Sequence, residues 1–320
     1  MSVAAKKVIY AALAGNTIIA IIKFVAAALT GSSAMLSEGI HSLVDTGNQV
    51  LLLVGIRRSR RPPGPDFPYG HGKEVYFWSF VVAILIFAVG AGVSVYEGIM
   101  HLLHPVALED PTLNYIVLGL AMLFEGIAWS IALKEFGKVK GSMGYFEAVH
   151  RGKDPTMFLV LFEDSAAILG LIVAFAGVLA TQLTGLSQID AAASIVIGLI
   201  LGGTATWLAI ETQSLLIGES ACQDVVAGIR HIAGKCSCVE RVNEVLTMHM
   251  GPEYILVNIS MDFRDTLPVG QLEREIAAMD RNIKAAYPEV RRVFIEAESA
   301  GRISTGQEEN RGQRTISTNI

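Results

Sequence analysis

Long apolar stretches between residues 8 and 217 constrain the fold of this chain more than any other feature. A helix needs about 20 apolar residues to cross the hydrocarbon core of a bilayer. Six stretches meet this requirement: Val8–Leu29, Ala34–Ile56, Tyr76–Leu103, Leu113–Leu133, Met157–Thr181 and Ile189–Leu216. Only 17% of the residues are charged, whereas soluble domains carry about 25%. The sequence therefore predicts an α-helical membrane protein with six transmembrane helices.

Basic residues are confined to alternate connections between these spans. They are Lys6 and Lys7 before the first span, Arg57, Arg58, Arg60, Arg61 and Lys73 after the second, and Lys134, Lys138, Lys140, Arg151 and Lys153 after the fourth. The connections 30–33, 104–112 and 182–188 contain neither Lys nor Arg. Because Lys and Arg stay on the cytoplasmic side, both termini are expected there. The segment before the first span is too short for a cleaved signal peptide, and we expect a multi-pass protein of the cell (inner) membrane.

The pattern changes after residue 217 to short elements typical of a soluble domain. A helix over Asp224–Ala233, strands over Val239–His249 and Tyr254–Phe263, a helix over Val269–Ala286 and a strand over Val290–Ala297 are predicted. This order favours a small cytoplasmic α+β (ferredoxin-like) domain. We therefore divide the chain into a transmembrane domain (1–217), a cytoplasmic α+β domain (218–300) and a polar tail (301–320) that is expected to be disordered.

The three cysteines, Cys222, Cys236 and Cys238, all lie in the C-terminal part. Cys236 and Cys238 form a CxC pair, which is interpreted either as a metal-binding pair or as two small, partly buried apolar residues. An odd number of cysteines without a secretory signal argues against a disulfide framework. The net charge of −5 gives no support to nucleic-acid binding.

Ionisable residues inside the spans are the main functional candidates, because they are costly to bury in a bilayer. His41 and Asp45 in the second span are four residues apart and share one helix face, which Glu38 and Asn48 extend. The fifth span contains Glu163 and Asp164. Imidazole and carboxylate together suit Zn²⁺, and less selectively Mn²⁺, Fe²⁺ or Co²⁺.

Each of these residues also has a purely structural interpretation. His41 can form a hydrogen bond to a neighbouring helix, and Glu97 and Glu125 can serve as polar contacts between helices. Lys23 can extend to the membrane surface or pair with a carboxylate. Glu163 points roughly 100° away from Asp164 on a helix, so we rank Glu163 below Asp164. Taken together, His41, Asp45 and Asp164 favour a path for a metal ion or a proton.

Two motifs resemble the cation diffusion facilitator family: Ser32-Ser33-Ala34-Met35-Leu36-Ser37-Glu38-Gly39-Ile40-His41-Ser42-Leu43-Val44-Asp45 and Tyr69-Gly70-His71-Gly72-Lys73. Together with the six spans and the α+β domain, the resemblance extends over about residues 8–300. Further stretches are similar to the subgroup of the ninth member of solute carrier family 30, a mitochondrial zinc transporter in animals. They are Asp45-Thr46-Gly47-Asn48-Gln49, Val89-Gly90-Ala91-Gly92-Val93-Ser94-Val95-Tyr96 and Leu161-Phe162-Glu163-Asp164.

The resemblance implies a homodimer with one transport site per subunit between the second and fifth spans. His41, Asp45 and Asp164 match three of the four ligand positions of the family. Val160, at the fourth position, cannot bind a metal ion. The resemblance therefore leaves the set to be completed by a water molecule or by one of four side chains: Glu163, Asn48, Glu38 and Glu125.

Other family sites are matched in part. In the loop after the second span His71 corresponds to a metal-binding residue, whereas Phe67 replaces a histidine of many relatives. In the cytoplasmic domain the positions that hold a zinc pair in bacterial relatives are Asn243, Glu244, Asn258, Glu296 and Glu298. His249 is close by in sequence and is interpreted as an exposed turn residue. The candidates for metal binding there are Glu244, His249, Glu296 and Glu298.

The sequence and the resemblance together predict a transporter that exports a divalent transition metal, with Zn²⁺ favoured, in exchange for protons. An imidazole with an unperturbed pKa of about 6.5 holds either a proton or a metal near neutrality, and metal binding displaces protons from its ligands. The alternatives are transport of Mn²⁺, Fe²⁺, Co²⁺ or a non-metal cation. No HExxH-like motif is present, so an enzyme is not expected, and neither is a resident cofactor.

Overall fold

The fold is described by a computed structural model that covers residues 3–30, 33–104, 111–186 and 188–299. The tail at 301–320, which was expected to be disordered, lies outside these residues. The chain divides into two compact units, Met1–Ile217 and Gly218–Ile320, and each is described by itself.

The first unit consists of helices. They are α1 (Val3–Thr30), α2 (Ser33–Ser59), α3 (Glu74–Leu85), α4 (Gly92–Leu103), α5 (Pro111–Lys140), α6 (Tyr145–Arg151), α7 (Pro155–Thr184) and α8 (Gln188–Ile217). Among the described residues, five segments are long and apolar enough to cross a membrane: Val8–Val25, Glu74–Leu103, Tyr115–Lys140, Pro155–Thr184 and Gln188–Ile217. The prediction of a helical membrane protein is confirmed by these segments.

The remaining predicted span, Ala34–Ile56, lies within α2. Its described portion does not reach the apolar content of the other five segments. The reason is chemical: Ser42, Asp45, Asn48 and Gln49 occupy the middle of the helix. Two of these four residues, Asp45 and Asn48, are ones that the sequence marked as functional candidates.

The third predicted span contains a break in its α-helical pattern. A π-helical segment, Ile86–Ala91, separates α3 from α4. The apolar pattern gave one continuous helix over Tyr76–Leu103, because hydropathy does not distinguish one helical hydrogen-bond pattern from another. Such π segments are common at functional sites, and this one borders the cavity described below.

The long helices surround two regions that lie toward their opposite ends. We call the region with the packed apolar core the apolar half, and the region with the cavity described below the cavity half. The apolar half is a core of fully buried side chains at the ends that adjoin the Lys- and Arg-rich segments, for example Leu52 and Ile56 in α2 before Arg57, and Phe158 in α7 after Lys153. The cavity half lies toward the opposite ends. Burial of large apolar side chains stabilises this core by about 1.5–3 kcal/mol each.

Close packing of α4 on α8 forms one wall of the cavity half. A Cβ atom on Gly198 would lie 2.5 Å from Cγ2 of Val95, and one on Gly98 would lie 2.6 Å from Cγ1 of Ile195. Glycine at these two positions lets the helix backbones approach closely, as is typical of membrane helices.

The second unit is a small α+β fold. It contains α9 (Gln223–Gly234), β1 (Val239–Gly251), β2 (Tyr254–Phe263), α10 (Val269–Ala286) and β3 (Val290–Ala297). The sheet order is β1-β2-β3, with β1 and β2 antiparallel and β2 and β3 parallel. Apolar side chains of both helices cover one face of the sheet. The predicted element order is confirmed.

Candidate metal transport site

A cavity of about 160 Å³ lies in the cavity half of the first unit. It has room for several water molecules, since one needs roughly 10–15 Å³ by the same measure. Its lining comes from α1, α2, α4, α5, α7, α8 and the end of α3 with the π segment. The acidic residues of the lining are Asp45, Glu97, Glu125, Glu163 and Asp164. Their convergence makes this the strongest candidate for a cation site.

Glu163 and Asp164 are the two most deeply buried carboxyl groups of the cavity. Glu163 is 7% exposed and Asp164 is 6% exposed. Glu163 Oε2 and Asp164 Oδ2 each have no hydrogen-bond partner within the described part of the chain. A buried carboxylate is stable only when a proton, a metal ion or a donor compensates its charge. These two atoms can therefore be satisfied by a bound cation or by protonation.

A hydrogen bond connects the two helices that were predicted to share the site. Asn48 Nδ2 in α2 donates to Glu163 Oε1 in α7 at 3.1 Å. Asp45, Asp164 and Glu125 are close enough to act electrostatically on Glu163. The helical geometry predicted that Glu163 and Asp164 face different directions, yet both line the cavity, because the cavity extends along more than one face of α7.

The structure describes the side chains of only two of the three ligands that the sequence predicted, Asp45 and Asp164. Asp45 is half-buried and lines the same cavity as Asp164. His41 and Glu38 belong to α2, but their side chains lie outside the described residues.

Lys23 in α1 is a cation inside the same acidic cavity. Its side chain is 4% exposed and lines the cavity, and its Nζ donates to Ser42 Oγ at 2.9 Å. Of the two interpretations given by the sequence, extension to the membrane surface is wrong, because the ammonium group is buried within the bundle.

Several polar side chains that the sequence did not single out also belong to this region. Asn16, Ser94 and Ser194 line the cavity. Trp129 Nε1 in α5 donates to Ser165 Oγ at 2.8 Å, next to Asp164 in α7. Their signal was weak, since a single Asn or Ser within a span is common, and only the packing of the helices brings them together.

Val160 lies in the apolar half and not in the cavity. It is 0% exposed and belongs to the same core as Phe158 and Leu208. The fourth ligand position implied by the family is therefore part of a packed apolar core in this structure.

The loop motif around His71 lies outside the cavity, just before α3. The His71 ring lies 4.4 Å from the Phe67 ring, centroid to centroid. Gly70 has a φ of +79°, a left-handed conformation that favours glycine. Lys73 Nζ lies 3.4 Å from the carbonyl oxygens of Leu216 and Ile217 at the end of α8, and burial lowers the pKa of Lys73. Lys73 thus links this loop to the end of α8.

The candidates in the second unit are spread over the sheet. Ser260 in β2 pairs with Glu244 in β1 and with Glu296 in β3, and both glutamates are exposed. Glu298 Oε2 accepts a hydrogen bond from Ser260 Oγ at 3.0 Å. Within the described part of the unit, these residues and His249 do not form a group of three converging ligands.

The interpretation of His249 as an exposed turn residue is wrong. It is 4% exposed and lies in β1, with Nδ1 3.5 Å from the Gly251 carbonyl oxygen. The strand continues to Gly251, two residues beyond its predicted end. Side chains alternate between the two faces of a strand, so His249 lies on the same face as the buried core residue Val245.

The fold and the cavity together define a membrane protein with several spans and a buried acidic site suited to a cation. The family described as the cation efflux transmembrane domain matches residues 9–217. The chain therefore belongs to this family, the cation diffusion facilitators. The predicted family is confirmed, and the matched proteins are transporters and not enzymes.

Named relatives resemble the chain over most of its length. The proton-coupled zinc antiporter SLC30A9, mitochondrial, of Xenopus laevis is 34% identical over 259 residues, and that of Homo sapiens is 33% identical over 260 residues. In both cases the match covers 80% of this chain and 46% of the relative, so the chain spans about half the length of these relatives. The manganese efflux system protein MneP of Bacillus subtilis (strain 168) is 25% identical over 301 residues, which cover 91% of this chain and 94% of MneP.

Proposed function

We propose that this chain is a proton-coupled zinc exporter with six transmembrane helices, in which α2 is the sixth span. The observation that carries the proposal is the pair of buried carboxyl oxygens, Glu163 Oε2 and Asp164 Oδ2, that have no partner in the described part of the structure and line a polar cavity. The names of the animal relatives, proton-coupled zinc antiporters, support the choice of metal and the coupling to protons.

The proposed site contains His41 and Asp45 from α2 and Asp164 from α7, with Glu163 as the fourth ligand. Asn48 holds Glu163 through the hydrogen bond described above and so orients it toward the site. Glu125 lines the cavity beside the site and attracts the cation from a greater distance. Nitrogen and carboxylate ligands of this kind suit Zn²⁺.

Exchange follows from the charge balance of this cavity. The buried carboxyl groups of Glu163 and Asp164 cannot both stay ionised beside the other acidic residues of the cavity without a cation in addition to Lys23. A zinc ion or protons satisfy the same oxygens, and binding of one displaces the other. Protons that enter from one side of the membrane therefore release the metal to that side. No covalent step is needed.

The division of the helices supports alternating access. The cavity lies in the half away from the basic segments, and the apolar half closes the opposite end. Because basic segments stay in the cytoplasm, this arrangement corresponds to a state closed to the cytoplasm. Export requires a second state in which the apolar half opens and the cavity half closes.

Zinc flux into proteoliposomes with an imposed proton gradient tests the proposal. We expect gradient-dependent flux in the natural chain and its loss in His41→Ala, Asp45→Ala and Asp164→Ala. Glu211→Gln is the matched control, because Glu211 is a half-buried carboxylate of α8 that does not line the cavity. Flux that is absent from the natural chain, or equal in all variants, would contradict the proposal.

Manganese is the second candidate substrate. Apart from the side chain of His41, the proposed ligands are all oxygen donors, which suit Mn²⁺, and one relative is named a manganese efflux protein. The same assay with Mn²⁺ in place of Zn²⁺ decides between the two metals. If the ratio of kcat to KM is higher for Mn²⁺ than for Zn²⁺, manganese and not zinc is the preferred substrate.

We further propose that the chain is a homodimer with both termini in the cytoplasm and that it resides in the cell membrane. The distribution of Lys and Arg supports this orientation. The names of the animal relatives state a mitochondrial location, so microscopy of the tagged chain in its own cells is the direct test. Cross-linking in native membranes tests the dimer.

A further inference from the structure

Two cysteines and a glutamate converge in the second unit. Cys236 and Cys238 lie in the turn between α9 and β1, and Glu275 lies in α10. Among the described residues, this is the only group of three or more His, Cys, Asp or Glu residues whose ligand atoms lie within 4.8 Å of one another. The two cysteines are joined by a disulfide bond.

The distance between Cys236 and Glu275 in this group matches that between two ligands of one metal ion. Cys236 Sγ lies 3.6 Å from Glu275 Oε2. In a tetrahedral zinc site with bonds of about 2.3 Å to sulfur and about 2.0–2.2 Å to oxygen, a sulfur and an oxygen ligand are about 3.5–3.7 Å apart. The Cα atoms of the two cysteines are 5.2 Å apart, so rotation of the side chains after reduction lets both sulfurs reach one ion.

The backbone fixes the cysteine pair in place. The Cys236 carbonyl accepts a hydrogen bond from Val239 N at 3.0 Å, and the Cys238 carbonyl accepts one from Arg264 N at 3.1 Å. Cys238 is buried, whereas Cys236 and Glu275 are half-buried. The group is therefore ordered on its inner side and open to an ion on its outer side.

We propose that the reduced Cys236–Cys238 pair and Glu275 form a binding site for a thiophilic metal ion of the zinc class, with water as the fourth ligand. Thiolates select zinc-like ions over magnesium, calcium and manganese. The disulfide is the metal-free state of this site. The proposal is independent of the transport function, because it uses none of the residues of the cavity.

The change between the two states is a thiol–disulfide exchange. Two molecules of a small thiol reductant reduce the disulfide to two cysteine thiols and are themselves joined as a disulfide. The metal ion then displaces the two thiol protons as it binds. A small disulfide oxidant reverses the reaction and releases the ion.

Cobalt binding to the full chain in detergent tests this site. The chain is reduced with a phosphine under argon and titrated with Co²⁺ alone. We expect a thiolate-to-cobalt charge-transfer band in the near ultraviolet, which Zn²⁺ abolishes by displacement. The band reports this site and not the cavity, since none of the cavity-lining residues is a cysteine. The oxidised chain should show no band, and this comparison needs no substitution.

Substitutions then assign the ligands. Cys236→Ser and Cys238→Ser should each abolish the band, whereas Cys222→Ser, the matched control, should retain it. Glu275→Gln should keep two titratable thiols at this pair but weaken cobalt binding at least about tenfold. A reduced natural chain without the band, or a band that persists in Cys236→Ser or Cys238→Ser, would overturn the proposal. An unchanged cobalt affinity in Glu275→Gln would remove Glu275 from the site and likewise overturn it.

Discussion

The two halves of the helical unit differ in how well their buried groups are satisfied. In the apolar half, side chains such as Leu52, Phe158 and Leu208 are buried against one another and contain no polar atom. In the cavity half, Glu163 and Asp164 are also buried but retain carboxyl oxygens without a partner in the described part of the chain. Packing satisfies the buried groups of the first half, whereas the second half retains polar atoms that a cation would satisfy under the proposed function.

This difference explains why the two halves respond differently to substitution. Stability in the apolar half depends on the fit of apolar side chains, so any change there should lower the free energy of unfolding. In the cavity half the carboxyl groups oppose stability in the metal-free state, so their removal should affect metal binding and leave the free energy of unfolding unchanged or higher. The predictions below test this contrast, ordered from the largest expected effect to the smallest.

Val160→Asp would introduce a carboxyl group into the apolar half, at the family's fourth ligand position. Because Val160 is fully buried among apolar side chains, the unpaired charge should lower the free energy of unfolding by about 3–5 kcal/mol. Thermal unfolding in detergent measures the change. Val160→Ala is the control and should cost about 2 kcal/mol. If Val160→Asp proved as stable as the natural chain, this position would have to reach the cavity.

Leu208→Ala removes apolar volume from the same core. Leu208 is 0% exposed, and such truncations cost about 2–5 kcal/mol because they leave a cavity. Zinc affinity, measured by calorimetry on the folded protein, should stay within about twofold of the natural value, since Leu208 does not line the cavity. A large loss of affinity would mean that the two halves are not separable.

Asp164→Asn tests the cavity half. We expect zinc affinity to fall at least about a hundredfold, which corresponds to about 2.7 kcal/mol. The free energy of unfolding should be unchanged or higher, because an amide costs less to bury than an unpaired carboxylate. Calorimetry and thermal unfolding measure the two quantities, and Glu211→Gln serves as the control. A variant that loses stability while it keeps zinc affinity would reverse the assignment.

Lys23→Met removes the cation that shares the cavity with the acidic residues. The ammonium group repels a bound metal ion, so its removal should tighten zinc binding by about three- to tenfold. Lys138→Met is the control, because Lys138 pairs with Glu135 at 2.9 Å and does not line the cavity. Weaker zinc binding in Lys23→Met would mean that this lysine organises the site rather than opposing the metal.

Asp154→Ala removes the cap at the start of α7. Asp154 Oδ1 accepts hydrogen bonds from Thr156 N at 3.2 Å and from Thr156 Oγ1 at 2.6 Å, and loss of such a cap costs about 1 kcal/mol. Burial raises the pKa of Asp154, although the hydrogen bonds from Thr156 oppose this rise.

The raised pKa gives the contribution of Asp154 a definite pH dependence. A carboxyl whose pKa is higher in the folded state favours folding below its unfolded-state pKa, and this contribution is lost as pH rises through the folded-state pKa. Asp154→Asn keeps the side-chain oxygen that accepts these hydrogen bonds and should remove this dependence. Unfolding measured across acidic pH compares the three proteins, and identical pH profiles would show that Asp154 does not contribute.

The helices and strands were largely predictable, because local pattern determines them. Apolar runs gave the membrane segments, and alternation gave β1, β2 and β3. The π segment at Ile86–Ala91 was not predictable from hydropathy, since its hydrogen bonds do not alter composition. The end of β1 at Gly251 was not predicted either. His249 was predicted to end this strand and to be exposed, but it lies on the buried face.

The part of the candidate site that could be predicted consists of residues that stand out within a single helix. Asp45 and Asp164 stood out as acidic residues in apolar runs. The hydrogen bond between Asn48 and Glu163, and the burial of Lys23 among the acidic residues, depend on how distant helices pack and have no local signature. The Cys236–Cys238 disulfide was not expected either. The odd number of cysteines argued against a framework of several disulfides, but it does not bear on a single bond between two neighbouring cysteines.

Proton release upon zinc binding tests the central claim most directly. Zinc is added to the purified chain in weakly buffered detergent solution, and a pH indicator records the protons released per zinc bound at the cavity. Cys236→Ser/Cys238→Ser is the background for all samples, so that thiols do not contribute. We predict that protons are released in the parent chain and that Asp164→Asn and Glu163→Gln each release fewer. Zinc binding without proton release, or equal release in all three proteins, would contradict the exchange of metal for protons at these carboxyl groups.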